Sequence, residues 1–175
     1  MRLHTMKEGI CKIDSEKMYP LRTVYACLSI RSDRNKIYIT HVIEALKSDK
    51  KVYAMAAPAT EGQFGKDITM NSWKKAMQEV GFDDFIEVGL GGDMTAAYEA
   101  EEWAEAYKEG KKMTTSCCPA FVNMIDKHFP ELKDNVSTTV SPMCAVSRWI
   151  KSQNPDAVTV FIGPCVAKEI RSDGT

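Results

Sequence analysis

The sequence predicts an α/β domain whose four-stranded, mostly parallel sheet is flanked by helices. Strand-like and helix-like segments alternate along the chain, which is typical of a parallel sheet covered on both faces. Short polar turns come directly after the predicted strands, and 175 residues suffice for one domain with a core of its own. These observations favour one α/β unit.

The elements follow in order along the chain. Residues 1–36 are predicted to be irregular, because they are polar, with scattered charges and Pro20. Strands are predicted at Lys51–Pro58, at Asp84–Leu90, in a short run ending at Ser116, and at Val158–Gly163. Helices are predicted at Ile37–Lys47, before Gly81, at Met94–Lys108, from Pro119 onward, and at Pro142–Ser152. The third of these helices has charged residues on one side and an apolar stripe on the other. The stripe consists of Ala96, Ala100, Trp103, Ala104 and Tyr107.

Composition excludes several classes of protein. A net charge of -1 gives no electrostatic footprint for nucleic acid or for an anionic membrane. No window has the roughly 18 apolar residues that a membrane span needs, and the N-terminus lacks the apolar core of a signal peptide. A cytoplasmic location is therefore expected, where six cysteines are metal ligands, reactive thiols or core residues more often than disulfides.

Three cysteines follow predicted strands. Cys117 and Cys118 lie in T-T-S-C-C-P-A-F, and Cys165 lies in F-I-G-P-C-V-A-K. Ligands of parallel sheets bind beyond the carboxyl ends of the strands, so we expect these thiols at one edge of the sheet. The alternative is that they are small core residues, since free cysteine is often buried. The remaining cysteines have no such setting and are expected to be structural: Cys11, Cys27 and Cys144.

The order of the two motifs resembles the active-site domain of iron-only ([FeFe]) hydrogenases. That family has T-S-C-C-P-x-W followed by P-C-x-x-K-x-x-E, and the resemblance here runs from Lys51 to Lys168. It implies that residues 37–175 form the N-terminal lobe of a two-lobed hydrogenase domain. It also implies that residues 1–36 are a degenerate ferredoxin-like remnant, because only Cys27 remains, while Met18 and Leu21 stand where cysteines are expected.

The resemblance implies roles for individual residues. Cys118 and Cys165 match two of the four thiolates that hold a [4Fe-4S] cluster, and thiolates are the soft ligands that such clusters need. Cys117 matches the thiol that passes protons to the attached di-iron unit. The rest of the proton path is matched by Glu99, Ser137 and Glu102. The cofactor pocket is matched by Ala57 and Pro58, which line it, and by Lys168, whose ammonium hydrogen-bonds a cyanide on iron.

Three features depart from the family pattern. The third motif, which supplies the other two cluster cysteines, has no counterpart, so the cluster with its di-iron unit is expected only if a second lobe is supplied. Phe121 replaces a tryptophan, which keeps an aromatic ring. Arg171 replaces a glutamate, which reverses a charge.

The functional prediction is one lobe of an enzyme that reversibly reduces protons to dihydrogen, inactive as this chain alone. The expected partners are ferredoxin or a similar electron carrier, and a separate chain if that chain supplies the second lobe. One alternative is a non-catalytic hydrogenase-like iron–sulfur protein, such as a sensor or a cluster-assembly relative. The other is a plain α/β domain with coincidental cysteines.

Overall fold

Four parallel strands form the central sheet of the computed structural model, which describes residues 10–14, 17–20, 23–26, 38–165 and 167. Across the sheet the order is β3 (Thr23–Ala26), β6 (Val158–Ile162), β4 (Val52–Ala56) and β5 (Asp84–Glu87). Two further strands, β1 (Ile10–Asp14) and β2 (Lys17–Pro20), pair with each other in antiparallel fashion. The predicted α/β class is therefore confirmed.

One of the four predicted strands is wrong. The run that ends at Ser116 joins no sheet, and Thr114 makes only an isolated parallel bridge with Val136. The fourth position in the sheet belongs to β3, which pairs with β6. It lies in the segment that was expected to be irregular. A strand of four residues is too short to show a clear alternation of apolar and polar residues, so the sequence did not indicate β3.

Five α-helices lie between the strands of the sheet among the described residues: α1 (Tyr38–Leu46), α2 (Met70–Val80), α3 (Gly89–Lys108), α4 (Pro119–His128) and α5 (Pro142–Gln153). The hydroxyl of Thr69 accepts a hydrogen bond from the backbone N–H of Ser72 and so caps α2. Gly81 ends that helix with a φ of +115°, which a side chain would strain. A proline occupies the first turn of both α4 and α5, where its missing N–H costs nothing.

Both faces of the sheet are buried. Along β4, Val52, Ala54 and Ala56 pack in one apolar cluster with Val42 of α1. Met55 points the other way, into a second cluster that is built largely from α5 and includes Val146 and Phe161. This alternation is the one expected of a strand between two helical layers.

The apolar stripe of α3 does not face the core. Trp103 is 54% exposed and Tyr107 is 70% exposed, and their rings stack with centroids 5.3 Å apart. The buried residues of this helix are Gly91 and Thr95. The half-buried residues that follow on the same side include Glu99 and Glu102. The inward face of α3 is therefore polar, which hydrophobic periodicity alone did not indicate.

A glycine sets the distance between α3 and α5. A Cβ atom at Gly91 would lie 2.1 Å from the carbonyl oxygen of Pro142 and 2.8 Å from Cγ2 of Val146. Real Cβ atoms do not approach backbone so closely, so no residue with a side chain fits there without movement of one helix. Gly92 has nothing within 4 Å of the same position.

We expect Gly91→Ala to lower the free energy of unfolding by about 2–3 kcal/mol, because the added methyl group overpacks the helix contact. Gly92→Ala is the matched control. It should leave stability unchanged or raise it by up to about 1 kcal/mol through better helix propensity. Urea unfolding followed by circular dichroism measures both. Equal stability of the two variants would contradict the packing role of Gly91.

Candidate functional site

The loops after β4 and β6 lie side by side. Ala56 pairs with Ile162, and the backbone N–H of Ala57 donates to the carbonyl of Ile162 at 2.9 Å. The Cβ of Ala57 lies 3.0 Å from the position of a Cβ at Gly163. Ala57 is buried, Pro58 is exposed, and Cys165 is a half-buried free thiol two residues beyond Gly163. The structure therefore places Ala57, Pro58 and Cys165 at one edge of the sheet.

The double cysteine comes just before α4. Cys118 is the residue that precedes this helix, and its carbonyl accepts from Val122 N–H at 3.1 Å. Its side chain makes no capping hydrogen bond and is exposed. Cys117 is half-buried, and its backbone N–H donates to the Thr115 hydroxyl at 3.4 Å. Both thiols are free, and that of Cys118 is open to an incoming group.

Glu99 lies next to the chain segment that leads into Cys117. Its Oε1 atom accepts a hydrogen bond from the Thr115 hydroxyl at 2.7 Å and another from the Ser116 backbone N–H at 3.2 Å. Thr115 thus contacts both the carboxylate of Glu99 and the backbone of Cys117. The structure brings these two predicted proton-path residues into one neighbourhood.

Glu102, one helical turn further on, is held by three consecutive residues. Ser137 Oγ donates to its Oε2 at 2.5 Å, and Thr139 Oγ1 donates to the same atom at 3.2 Å. The backbone N–H of Thr138 donates to Oε1 at 3.2 Å, and the Thr138 hydroxyl donates to Oε1 as well. Ser137, which is buried, therefore lies beside Glu102.

Partial burial and hydrogen bonding shift the pKa of the Glu102 carboxyl in opposite directions. Burial raises the pKa of Glu102, because it penalises the charged form, but the bonds from Ser137, Thr138 and Thr139 favour the carboxylate. The bonds prevail, and the pKa lies below its ordinary value of 4.5. Glu102 is therefore ionised at neutral pH.

The two carboxylate sites are joined through their partner segments. Thr114 N–H donates to Asn135 at 2.7 Å, and Ser137 N–H donates to Thr114 at 2.8 Å. The Ser116 hydroxyl donates to the carbonyl of Thr139. Within residues 38–165 no direct hydrogen bond joins Ser137 to Glu99, so the link between the two carboxylates runs through Ser116 and Thr139.

Sequence reasoning missed four polar residues of this site: Thr115, Ser116, Thr138 and Thr139. A signal was present, because T-T-S and S-T-T are runs of hydroxyl residues, each close to a predicted helix start. Their partner on α3 is the pair Glu99 and Glu102, which share a helix face. Only contacts between residues far apart in sequence show that these segments meet.

Four other residues from the sequence analysis lie outside the described part of the chain: Leu21, Cys27, Lys168 and Arg171. Cys144 is buried in α5 at 1% exposure, as expected for a structural cysteine. Cys11 lies in β1.

The chemistry and the exposure of the two cysteine thiols suit ligands of an iron–sulfur cluster. Cys118 and Cys165 offer soft sulfur ligands that are exposed or half-buried. Over the described residues, no group of three or more His, Cys, Asp or Glu side chains is placed to hold a metal ion. The thiols therefore fit as part of a ligand set and not as a whole one.

Fold and site together define an α/β domain with one thiol, Cys165, beyond a parallel strand, and a double cysteine before a helix, beside a hydrogen-bonded carboxylate. The sequence profile described as "Iron only hydrogenase large subunit, C-terminal domain" matches residues 50–173. The chain therefore belongs to the iron-only hydrogenase family, whose members are iron–sulfur oxidoreductases. The resemblance inferred from the two cysteine motifs is confirmed.

Curated relatives include iron hydrogenase 1 of Clostridium pasteurianum, 29% identical over 157 residues. The HndD subunit of the NADP-reducing hydrogenase of Solidesulfovibrio fructosivorans is 28% identical over 158 residues. These matches cover 79% and 75% of this chain but only 27% of each relative. The chain thus spans about a quarter of the length of the curated relatives it matches.

Solved structures agree with this assignment. Apo [FeFe]-hydrogenase HydA1 from Chlamydomonas reinhardtii superimposes with a TM-score of 0.66 at 27% identity, over 76% of this chain and 40% of that one. A structure concerned with oxygen damage to the 2Fe subcluster of the H cluster gives a TM-score of 0.69 at 25% identity, over 77% and 40%. Among the described helices, none combines the length and the apolar character that a membrane span requires. One relative is named a periplasmic hydrogenase.

The lowered pKa of Glu102 predicts a pH-dependent contribution to stability. A depressed pKa in the folded chain means that this contribution is present above about pH 4.5 and is lost as pH falls through the folded value. At pH 7, Glu102→Gln should lower the free energy of unfolding by roughly 1 kcal/mol or less, because the carboxylate keeps contact with water.

Denaturant unfolding of both proteins at several pH values between neutral and acidic measures this difference. It should shrink as pH falls below about 4.5. A difference that is constant with pH would show that the charge of Glu102 is not what its hydroxyl partners stabilise.

Proposed function

We propose that residues 37–175 form one lobe of a hydrogenase active site that interconverts protons and dihydrogen. The observation that supports this most is the hydrogen bonding of Glu99 and Glu102 beside Cys117. A protein that only held a cluster would need thiolates but no such row of proton-carrying groups.

Cys118 and Cys165 are proposed to hold one side of a [4Fe-4S] cluster with an attached di-iron unit. The cofactor, when bound, supplies the redox chemistry, and the protein binds it, orients it and relays protons. The remaining cluster ligands would come from a second lobe. Ala57 and Pro58, beside Cys165, would form the wall of the pocket, and Lys168 would donate to a cyanide on iron.

The chain's own residues would move protons along α3. The Cys117 thiol is the proposed group nearest the cofactor. The Thr115 hydroxyl hydrogen-bonds both the Glu99 carboxylate and the backbone N–H of Cys117. Ser137 and Glu102 would carry the proton further, through the bond from Ser137 Oγ to Glu102 Oε2. A side-chain or water movement is needed between Glu99 and Ser137, because among the described residues these two share no direct bond.

A non-catalytic hydrogenase-like protein is the competing function, favoured by Arg171 and by the missing upstream cysteines. A sensor or a cluster-assembly relative would keep Cys118 and Cys165 but would not depend on Cys117. Ferredoxin or a similar carrier as electron partner, and a cytoplasmic location, are further parts of the proposal. Relatives that are named as subunits of larger hydrogenases support the existence of partner chains.

The ligand proposal is tested by iron and sulfide analysis, after anaerobic reconstitution, of a domain in which a second lobe completes this chain. Cys118→Ser and Cys165→Ser should each weaken iron binding by at least about tenfold, since loss of a ligand costs no less than loss of its supporting contacts. Cys144→Ala, at a buried cysteine of α5, is the control and should retain iron. Iron retention that is equal in all three variants would refute the ligand assignment.

The catalytic proposal is tested in a domain that is completed by a second lobe. Cys117→Ala should leave the cluster bound but slow hydrogen evolution by about 10²–10⁴-fold, the usual contribution of a positioned proton-transfer group. Electron paramagnetic resonance checks the cluster, and gas chromatography measures hydrogen. Unchanged turnover would contradict the proposed role of Cys117 in proton transfer.

A further inference from the structure

Thr139 connects the two halves of the carboxylate site through three different groups. Its backbone N–H donates to Ser137 Oγ at 3.0 Å. Its hydroxyl donates to Glu102 Oε2 at 3.2 Å. Its carbonyl accepts from the hydroxyl of Ser116, whose own N–H donates to Glu99. Thr139 therefore contacts a partner of Glu99, a partner of Glu102, and Glu102 itself.

These contacts restrict the hydroxyl of Ser137. Its proton is donated to Glu102 Oε2, and one of its lone pairs is occupied by the N–H of Thr139. A free serine hydroxyl rotates to suit its surroundings. Here one direction is favoured, because both bonds point the Ser137 proton toward the same carboxylate oxygen that the Thr139 hydroxyl also reaches.

We propose that Thr139 is a positioning residue that fixes the Glu102 carboxylate and the Ser137 hydroxyl in one geometry, and that ties them to the segment holding Glu99. Its role is to hold the proton acceptor in place and not to carry the proton. This inference rests on the proposed function only for the use of Glu102 in proton transfer. The geometry itself requires no cofactor.

A threonine with a purely structural role would not donate a hydrogen bond to the Glu102 carboxylate. Thr95, on the same helix as Glu102, is buried at 4% exposure, and its hydroxyl donates to the carbonyl of Gly92 at 3.0 Å. Loss of that hydroxyl would affect the packing of α3 but would not remove a donor from a carboxylate. Thr95 thus serves as the matched control for Thr139.

The experiment is a titration of the Glu102 side-chain carboxyl in the 175-residue chain by carbon-13 nuclear magnetic resonance, without any cluster. Glu99, the other acid of this site, is titrated in the same spectra. Thr139→Val keeps the shape of the side chain and removes its hydroxyl, so the pKa of Glu102 should rise, because one donor to the charged form is lost. Thr139→Ser restores the hydroxyl and should return the pKa to the wild-type value. Thr95→Val should leave it unchanged.

An unchanged Glu102 pKa in folded Thr139→Val would overturn the proposal. So would equal shifts in the Thr139→Val and Thr95→Val variants, since that would indicate a general effect on α3. If Thr139→Val does not fold, Thr139→Ala removes the same hydroxyl with less bulk, and its comparison with Thr139→Ser decides the question.

The outcome is separable from the proposed function. If the Glu102 pKa rises in Thr139→Val and returns in Thr139→Ser, the positioning role is supported, whether or not the completed domain evolves hydrogen. Conversely, a Glu102→Gln domain with full turnover would refute the use of Glu102 in proton transfer while leaving the contacts of Thr139 established.

Discussion

The polar face of α3 depends on a match between two carboxylates and the donors that surround them. A partly buried carboxylate loses hydration, and this loss alone would favour the neutral acid. Around Glu102 the loss is outweighed by hydroxyl and backbone N–H donors from a single segment, residues 137–139. Among the described residues, the donors to Glu102 are hydroxyl and backbone N–H groups and not cations, so the charge is stabilised by dipoles that belong to the fold.

This match requires that α3 come close to the start of α5. Gly91 allows the approach, because its missing Cβ leaves space for the carbonyl of Pro142. From that contact the chain before α5 runs back along α3, past Glu102, and the bridge between Thr114 and Val136 adds the segment that leads to Cys117. The cysteine and the carboxylates are thus positioned by one set of helix contacts.

A second part of the site is built by the sheet. The parallel pairing of β4 with β6 brings the loops of Ala57 and Cys165 together at the carboxyl edge. These two parts share a core, since Met143 and Val146 of α5 pack in the same apolar cluster as Ala57 and Phe161.

The sequence by itself determined three strands, the five helices, and the presence of cysteines directly after strands or before a helix, because these depend on local periodicity and on prolines and glycines at element ends. It also placed Glu99 and Glu102 on one face of α3, since their spacing is a helical turn. Only the tertiary structure decided that β3 completes the sheet, that the aromatic stripe of α3 faces outward, and that Thr138 and Thr139 hold Glu102. The physical reason is that the bonds to the two carboxylates join residues 16 to 37 positions apart, and no local pattern encodes which distant donors a carboxylate will meet.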